Sequence, residues 1–198
     1  MRLGTLLKIV EIRTKAVSVS TLGLAFVYAY ARTGRILALP LILMAASALL
    51  VDMGTTAFNS YFDFVKGVDA RGRTRERDKV IVRGEASADQ ALIVALTLFA
   101  WAAVLGLALA LLRGPWIVPA GALCLAAGYL YNGGPRPISS TPFGEVLAGG
   151  FLGSALFLIA FYSQAGMVGL RDILYSVPPS LMIASILTVN NTCDRLND

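Results

Sequence analysis

The chain has 198 residues, 57% hydrophobic and only 15% charged, with a formal net charge of +5 and a mean hydropathy of +0.71. Soluble domains run at about 45–50% apolar and about 25% charged, so this composition excludes an ordinary soluble domain and points to a lipid bilayer. The basic excess does not indicate a nucleic-acid partner, because the 17 Lys and Arg fall between long apolar runs with no aromatic-basic surface beside them. Histidine is absent, which leaves carboxylates, amides, Tyr, Lys and Arg as the groups that can do chemistry. Cys124 and Cys193 lie far apart, one in an apolar run and one in a polar motif, so neither a disulfide nor a cysteine metal site is expected.

In chain order, residues 1–15 form a basic amphipathic stretch, with Leu3, Leu6, Leu7, Ile9, Val10 and Ile12 set among Arg2, Lys8, Arg13 and Lys15. This reads as an interfacial helix leading into the first span rather than a cleavable signal. A bilayer core needs about 20 apolar residues per helix, and six runs approach or meet that length: 16–31, 36–58, 91–112, 115–132, 143–164 and 172–191. Lys15 and Arg32 are placed to snorkel at the ends of the short first run. Thr33-Gly34, Gly114-Pro115 and Gly166 to Arg171 supply turn chemistry after spans one, three and five. The long connection, 64–90, holds much of the charge. With a cytoplasmic N-terminus, all Lys and Arg except Arg32, Arg35, Arg113 and Arg171 fall on the inner side, and that bias sets the expected orientation.

Two acidic clusters then share that inner side. In the first, Asn59 to Asp69, a continuing helix puts Asp52, Thr56, Asn59, Asp63 and Lys66 within about 40° of one line. A carboxylate at membrane depth is costly and is read first as functional. In the second, Asn190 to Asp198, the side chains of Asn191, Asp194 and Asp198 again share a face. Acids at helix ends can be solvated loop residues. Two facing clusters of amide plus paired acid form instead a cage of hard oxygen ligands, suited to Mg²⁺ bridging to a diphosphate. Lys66, Lys79 and Arg83 are the cations available to neutralise a departing diphosphate. Asp52 either joins metal or acceptor binding or pairs with a polar neighbour. Gly149-x-x-x-Gly153 reads as close helix packing within the chain ahead of a dimer face.

The motifs resemble those of the UbiA-type intramembrane prenyltransferase superfamily, in particular its 1,4-dihydroxy-2-naphthoate polyprenyltransferase branch of menaquinone synthesis. Asn59, Tyr61, Asp63, Gly67 and Asp69 match that branch's first motif, in which the last acid stands two residues later than in other branches. Asn190, Asn191, Asp194 and Asp198 match the second motif. Tyr131 to Pro135 is similar to the family's Tyr-Thr-Gly-Gly-Pro loop, Gly144-Glu145 to the Gly-Glu that opens the next span, and the segment from Val82 to Ser87 to the Gly-x-x-Ser before span three. Three positions depart. Ser60 stands where the family has a second acid, Cys193 where it has Arg, and Lys79 where Arg is usual, a point charge in place of a fork.

The resemblance implies an all-α polytopic membrane bundle of about nine spans, six of them supplied by this chain, so that residues 1–198 are read as one incomplete prenyltransferase domain. It implies catalytic roles for Asn59, Asp63, Lys66, Asp69, Asn190, Asn191, Asp194 and Asp198. Asp52, Lys79, Arg83, Tyr131 and Glu145 would bind substrate, and Asp63, Asp69, Asp194 and Asp198 would hold Mg²⁺ through the diphosphate. The implied reaction moves a polyprenyl group from its diphosphate to an aromatic acceptor, with dihydroxynaphthoate the first choice. Hydroxybenzoate, haem O, chlorophyll and lipid-ether prenyltransferases stay open as alternatives, as does a non-catalytic remnant that binds prenyl lipid. A partner chain is one possible source of the remaining spans.

Overall fold

In the computed structural model, residues 2–68, 79–135, 137–141 and 143–197 are described, the side chains of 190–197 excepted. The described residues form α1 (Leu3–Ile9), α2 (Ala16–Thr33), α3 (Ala38–Val65), α4 (Ala88–Arg113) and α5 (Ile117–Asn132). Then come α6 (Gly144–Ala165) and α7 (Leu170–Asn197). Each of the six expected spans is a helix. Four of them, α3, α4, α6 and the Leu170–Val189 part of α7, are long and apolar enough to cross a membrane by length and composition. At 1.5 Å per residue α3 reaches about 42 Å and α2 only about 27 Å, and this difference in length turns out to matter at the site.

Local chemistry sets the ends. Ser87 opens α4 with a capping box: its hydroxyl accepts from the Gln90 N–H while the Gln90 side chain accepts from the Ser87 N–H. Gly34 and Gly166 close α2 and α6 with φ of 69° and 79°, the left-handed cap that lets the chain reverse at once. Short reversals make successive helices antiparallel. Val65, Ser87, Asn132, Gly144 and the last turn of α7 therefore gather at one end of the bundle, called here the site end.

The opposite end is tied by polar clamps. The Arg113 guanidinium donates to the carbonyls of Ser163 and Gln164 at 2.5 and 2.9 Å, satisfying the last turn of α6. The Leu37 N–H donates to Gln164 Oε1 at 2.8 Å. Asp172, 2% exposed, accepts from the Tyr28 hydroxyl at 2.7 Å and the Gly169 N–H at 2.8 Å, with Arg32 Nε 3.5 Å away. α2 is thereby fastened to the start of α7.

Two apolar cores lie between the ends. Leu22, Ala25, Met44, Leu109, Phe157 and Ala160 knit α2, α3, α4 and α6 together. Nearer the site end, Ile9, Ala57, Phe58, Val80, Ile81 and Ala91 join the leader, α3, the α3–α4 connection and α4. The leader is thus no simple interfacial helix: Ile9 and Val10 are covered by protein, while Leu3, Leu7 and Ile12 stay exposed. Trp116, 73% exposed, lies at the end opposite the site, as an interface anchor should.

α6 and α7 cross very closely. A Cβ on Gly149 would lie 2.6 Å from the Ser180 carbonyl oxygen, and one on Gly153 would collide with the Ser180 backbone. The Gly-x-x-x-Gly face is spent on packing inside this chain, so the two backbones meet where any larger residue would hold them apart.

Candidate active site

The site is assembled around the last turns of α3. Asp63 is half-buried and has Lys79 Nζ 3.8 Å from its Oδ2. Lys79 reaches it because Val80 and Ile81 are buried against α3 and α4, pinning the α3–α4 connection over the helix end. The exposed Arg83 lies one turn further along the same connection, its N–H bonded to the Lys79 carbonyl. An ion pair from Lys8 to Glu85 at 3.1 Å ties the leader to this connection as well.

Lys66 is the C-cap of α3. Its ammonium donates to the Asn132 carbonyl at 2.9 Å and stands 5.1 Å from the centre of the Phe62 ring. It therefore complements the negative end of α5, the usual place for a cation, and leaves further N–H donors on a side chain that is exposed. Gly133 lets the following turn pass over Phe62: an added Cβ there would lie 3.1 Å from the ring. Phe58, Phe62, Phe99 and Tyr129 form the aromatic floor beneath, with ring centres 5.0 to 6.1 Å apart. Tyr131 and Glu145, both half-buried, are electrostatic neighbours across the α5–α6 turn. Asn59, half-buried, is one turn back from Asp63 on the same face.

Asp52 belongs to the same face of α3 but to different surroundings. Lys15 Nζ meets its Oδ1 at 2.6 Å, and the Ser18 hydroxyl donates to its Oδ2 at 2.6 Å. Thr56 donates to the Val10 carbonyl at 2.9 Å. About 20 Å of helix separates Asp52 from Val65, so α2 starts deep in the bundle and the leader climbs back along α3 towards the site end. Lys15, 4% exposed, does not snorkel: α2 is too short to bring its first residue to the surface. Ser60 is also turned to the leader, its hydroxyl donating to the Ile9 carbonyl at 3.3 Å. The signal for the Lys15–Asp52 pair was a lone cation at the head of one apolar run and a lone acid inside the next.

Asp69 and Asp198 lie outside the described residues. The helix of α7 runs through Asn190, Asn191 and Asp194, whose side chains are likewise outside them. Of the four expected metal ligands, Asp63 is thus the one with a described side chain. A half-exposed carboxylate next to a cation, at the end where α7 finishes, is a donor of the type Mg²⁺ selects.

The described residues thus form a helical membrane bundle with a carboxylate, lysines and an arginine collected at one end. The chain matches the UbiA prenyltransferase family over residues 18–198, and it belongs to that family. It is 34% identical over 155 residues to the 1,4-dihydroxy-2-naphthoate octaprenyltransferase of Bacillus subtilis (strain 168), covering 78% of this chain and 50% of that one. It is 32% identical over 157 residues to the protein of the same name from Mycobacterium tuberculosis, covering 79% and 53%. The chain thus spans about half the length of the curated relatives it matches. A solved UbiA homolog from Archaeoglobus fulgidus, bound to DMAPP and Mg²⁺, shares the fold with a TM-score of 0.64 at 17% identity, covering 92% of this chain and 61% of that one.

Proposed function

We propose that this chain carries the diphosphate-binding part of a Mg²⁺-dependent polyprenyltransferase, working at the cytoplasmic face of the membrane, with 1,4-dihydroxy-2-naphthoate as its aromatic acceptor. Residues 1–198 then make up one prenyltransferase domain, incomplete beside its relatives. The observation that carries this reading is the Asp63–Lys79 pair at 3.8 Å, set beside Lys66 and Arg83 on the helix end towards which α7 delivers the second acidic motif.

The chemistry follows from charge. Asp63, Asp69, Asp194 and Asp198 would hold Mg²⁺, which supplies neutralisation of the diphosphate as its bond to the allylic carbon breaks. Asn59, Asn190 and Asn191 would offer amides to the same phosphate oxygens. Lys79 leaves Asp63 for the diphosphate and, with Arg83 and the remaining donors of Lys66, stabilises the negative charge that develops on it. The electron pair departs with the diphosphate, and a ring carbon of the acceptor attacks the allylic cation. With dihydroxynaphthoate the carboxylate leaves as CO₂, its bonding pair restoring the aromatic ring. Tyr131 and Glu145 stand at the rim between α5 and α6, where an acceptor hydroxyl would be received. Asp52, with both oxygens engaged, works from beneath by fixing the leader. The similarity to two naphthoate octaprenyltransferases and the acid spacing around Gly67 both favour this acceptor.

The test is prenyl transfer in membranes holding this chain, alone and together with the C-terminal half of the Bacillus subtilis relative, with Mg²⁺ and a polyprenyl diphosphate. Product from dihydroxynaphthoate but not from hydroxybenzoate supports the assignment. Product from hydroxybenzoate alone overturns the acceptor. No transfer, and no Mg²⁺-dependent retention of labelled diphosphate, overturns the enzyme.

A further inference from the structure

α6 is not a regular helix. Between Gly150 and Ala155 it widens into a π turn, with the Leu156 N–H bonded to the Phe151 carbonyl five residues back. At the edge of that turn the Ser180 hydroxyl of α7 accepts from the Ser154 N–H at 2.8 Å and donates to the Gly149 carbonyl at 2.9 Å. These two backbone groups are five residues apart, the pair a π helix would join directly, and the hydroxyl bridges them. Ser154 Oγ donates in turn to the Ser176 carbonyl at 3.0 Å. In an apolar bundle an unpaired backbone group is costly, and the hydroxyl gives both of these groups a partner. It reaches the backbone because Gly149 and Gly153 lack the Cβ that would exclude it.

A π turn takes up one residue more than an α turn. Everything on its N-terminal side is therefore displaced by one helical step, about 100° of rotation. In a regular α6, Val146 would occupy the present place of Glu145, and Glu145 would move to the place of Gly144. That place is tight but reachable: a Cβ on Gly144 would lie 3.2 Å from the Ile138 carbonyl, which would have to yield by a few tenths of an ångström. Val146, now 66% exposed, would become the neighbour of Tyr131.

We propose that Ser180 is a positioning residue, whose hydroxyl holds the π turn and so aims Glu145 at Tyr131 rather than at the 138–140 turn. The inference rests on the prenyltransferase reading only in placing Glu145 and Tyr131 at the acceptor rim; the register is measured without any activity. In the full chain with Cys124→Ala and Cys193→Ala, the thiol pairs Tyr131→Cys/Glu145→Cys and Tyr131→Cys/Val146→Cys are treated with a short bis-maleimide in membranes. With Ser180 present, the pair through position 145 links faster. In Ser180→Ala the preference inverts by about tenfold, because the one-step rotation exchanges the two positions. Deleting Gly150 from the Ser180→Ala chain removes the extra residue and restores linking through 145. A preference for 145 that Ser180→Ala leaves unchanged overturns the proposal. Should Ser180→Ala not accumulate in membranes, the Gly150-deleted version carries the test, since a regular helix has no use for the hydroxyl. Failure of that chain to accumulate, or linking through 146, overturns the proposal equally. Loss of transfer with an unshifted register counts against Ser180, whereas a shifted register in a chain with no transfer at all counts against the proposed function.

Discussion

Asp52 and Asp63 share one face of α3, yet one is locked in a buried pair and the other is half-open beside a lysine. Asp63→Asn keeps the shape and removes the charge. Transfer is expected to fall by at least about 100-fold, the scale of losing one electrostatic contact to a transition state, while the amount of protein in the membrane fraction stays the same. Retained activity in that variant would remove Asp63 from the site. Asp52 calls for a different experiment. Lys15→Met strands a buried carboxylate and is expected to cost about 3–5 kcal/mol, whereas Lys15→Met with Asp52→Leu leaves no unpaired charge and costs far less. Unfolding midpoints in detergent read the difference; equal losses in the single and double variants would mean the pair does not anchor the leader. Ser60 and Lys79 show how a departure from a motif can be understood only in place. Ser60 donates to the Ile9 carbonyl, so a serine there serves the leader, while Lys79 meets Asp63.

Among the elements, the α6–α7 crossing is the most exacting. Gly153→Ala must push Ser180 aside and is expected to lower stability by about 1–3 kcal/mol, as overpacking usually does. Gly121→Ala in α5, where an added Cβ meets nothing, is expected to cause no loss. Thermal unfolding of the two variants in the same detergent checks the contrast, and equal behaviour would contradict the close crossing. The six helices were legible from apolar run length, and the turns from Thr33-Gly34, Gly114-Pro115 and Gly166, because those residues act through their own backbone. The π turn was not legible. It depends on a hydroxyl from α7 inserted between two backbone groups of α6, a contact between residues 26 positions apart.

For the molecule as a whole, charge is the ordering principle. With Arg32, Arg35, Arg113 and Arg171 at the end opposite the site and the other Lys and Arg of the sequence in the remaining segments, the charge bias is the ground for proposing that the site faces the cytoplasm. Val68 and Met167 are exposed at opposite ends. In cells with Cys124→Ala and Cys193→Ala, an impermeant maleimide is expected to label Met167→Cys and to reach Val68→Cys only after lysis. The reverse pattern would invert the topology.

By itself the sequence determined the class of molecule, the number and order of the helices and the gathering of charge at one end, since run length, turn residues and charge bias act locally and add along the chain. It also supplied the first acidic motif, whose helical spacing puts Asn59 and Asp63 on one face. The tertiary structure decided which of those residues meet. Asp52 paired with Lys15 because α2 is shorter than α3, Lys66 capped α5 because the chain reverses twice between them, and the Ser180 hydroxyl reached two backbone groups of α6 because Gly149 and Gly153 lack a Cβ. Each of these depends on how far one helix is displaced along or around its neighbour, a quantity set by packing and written in no single segment.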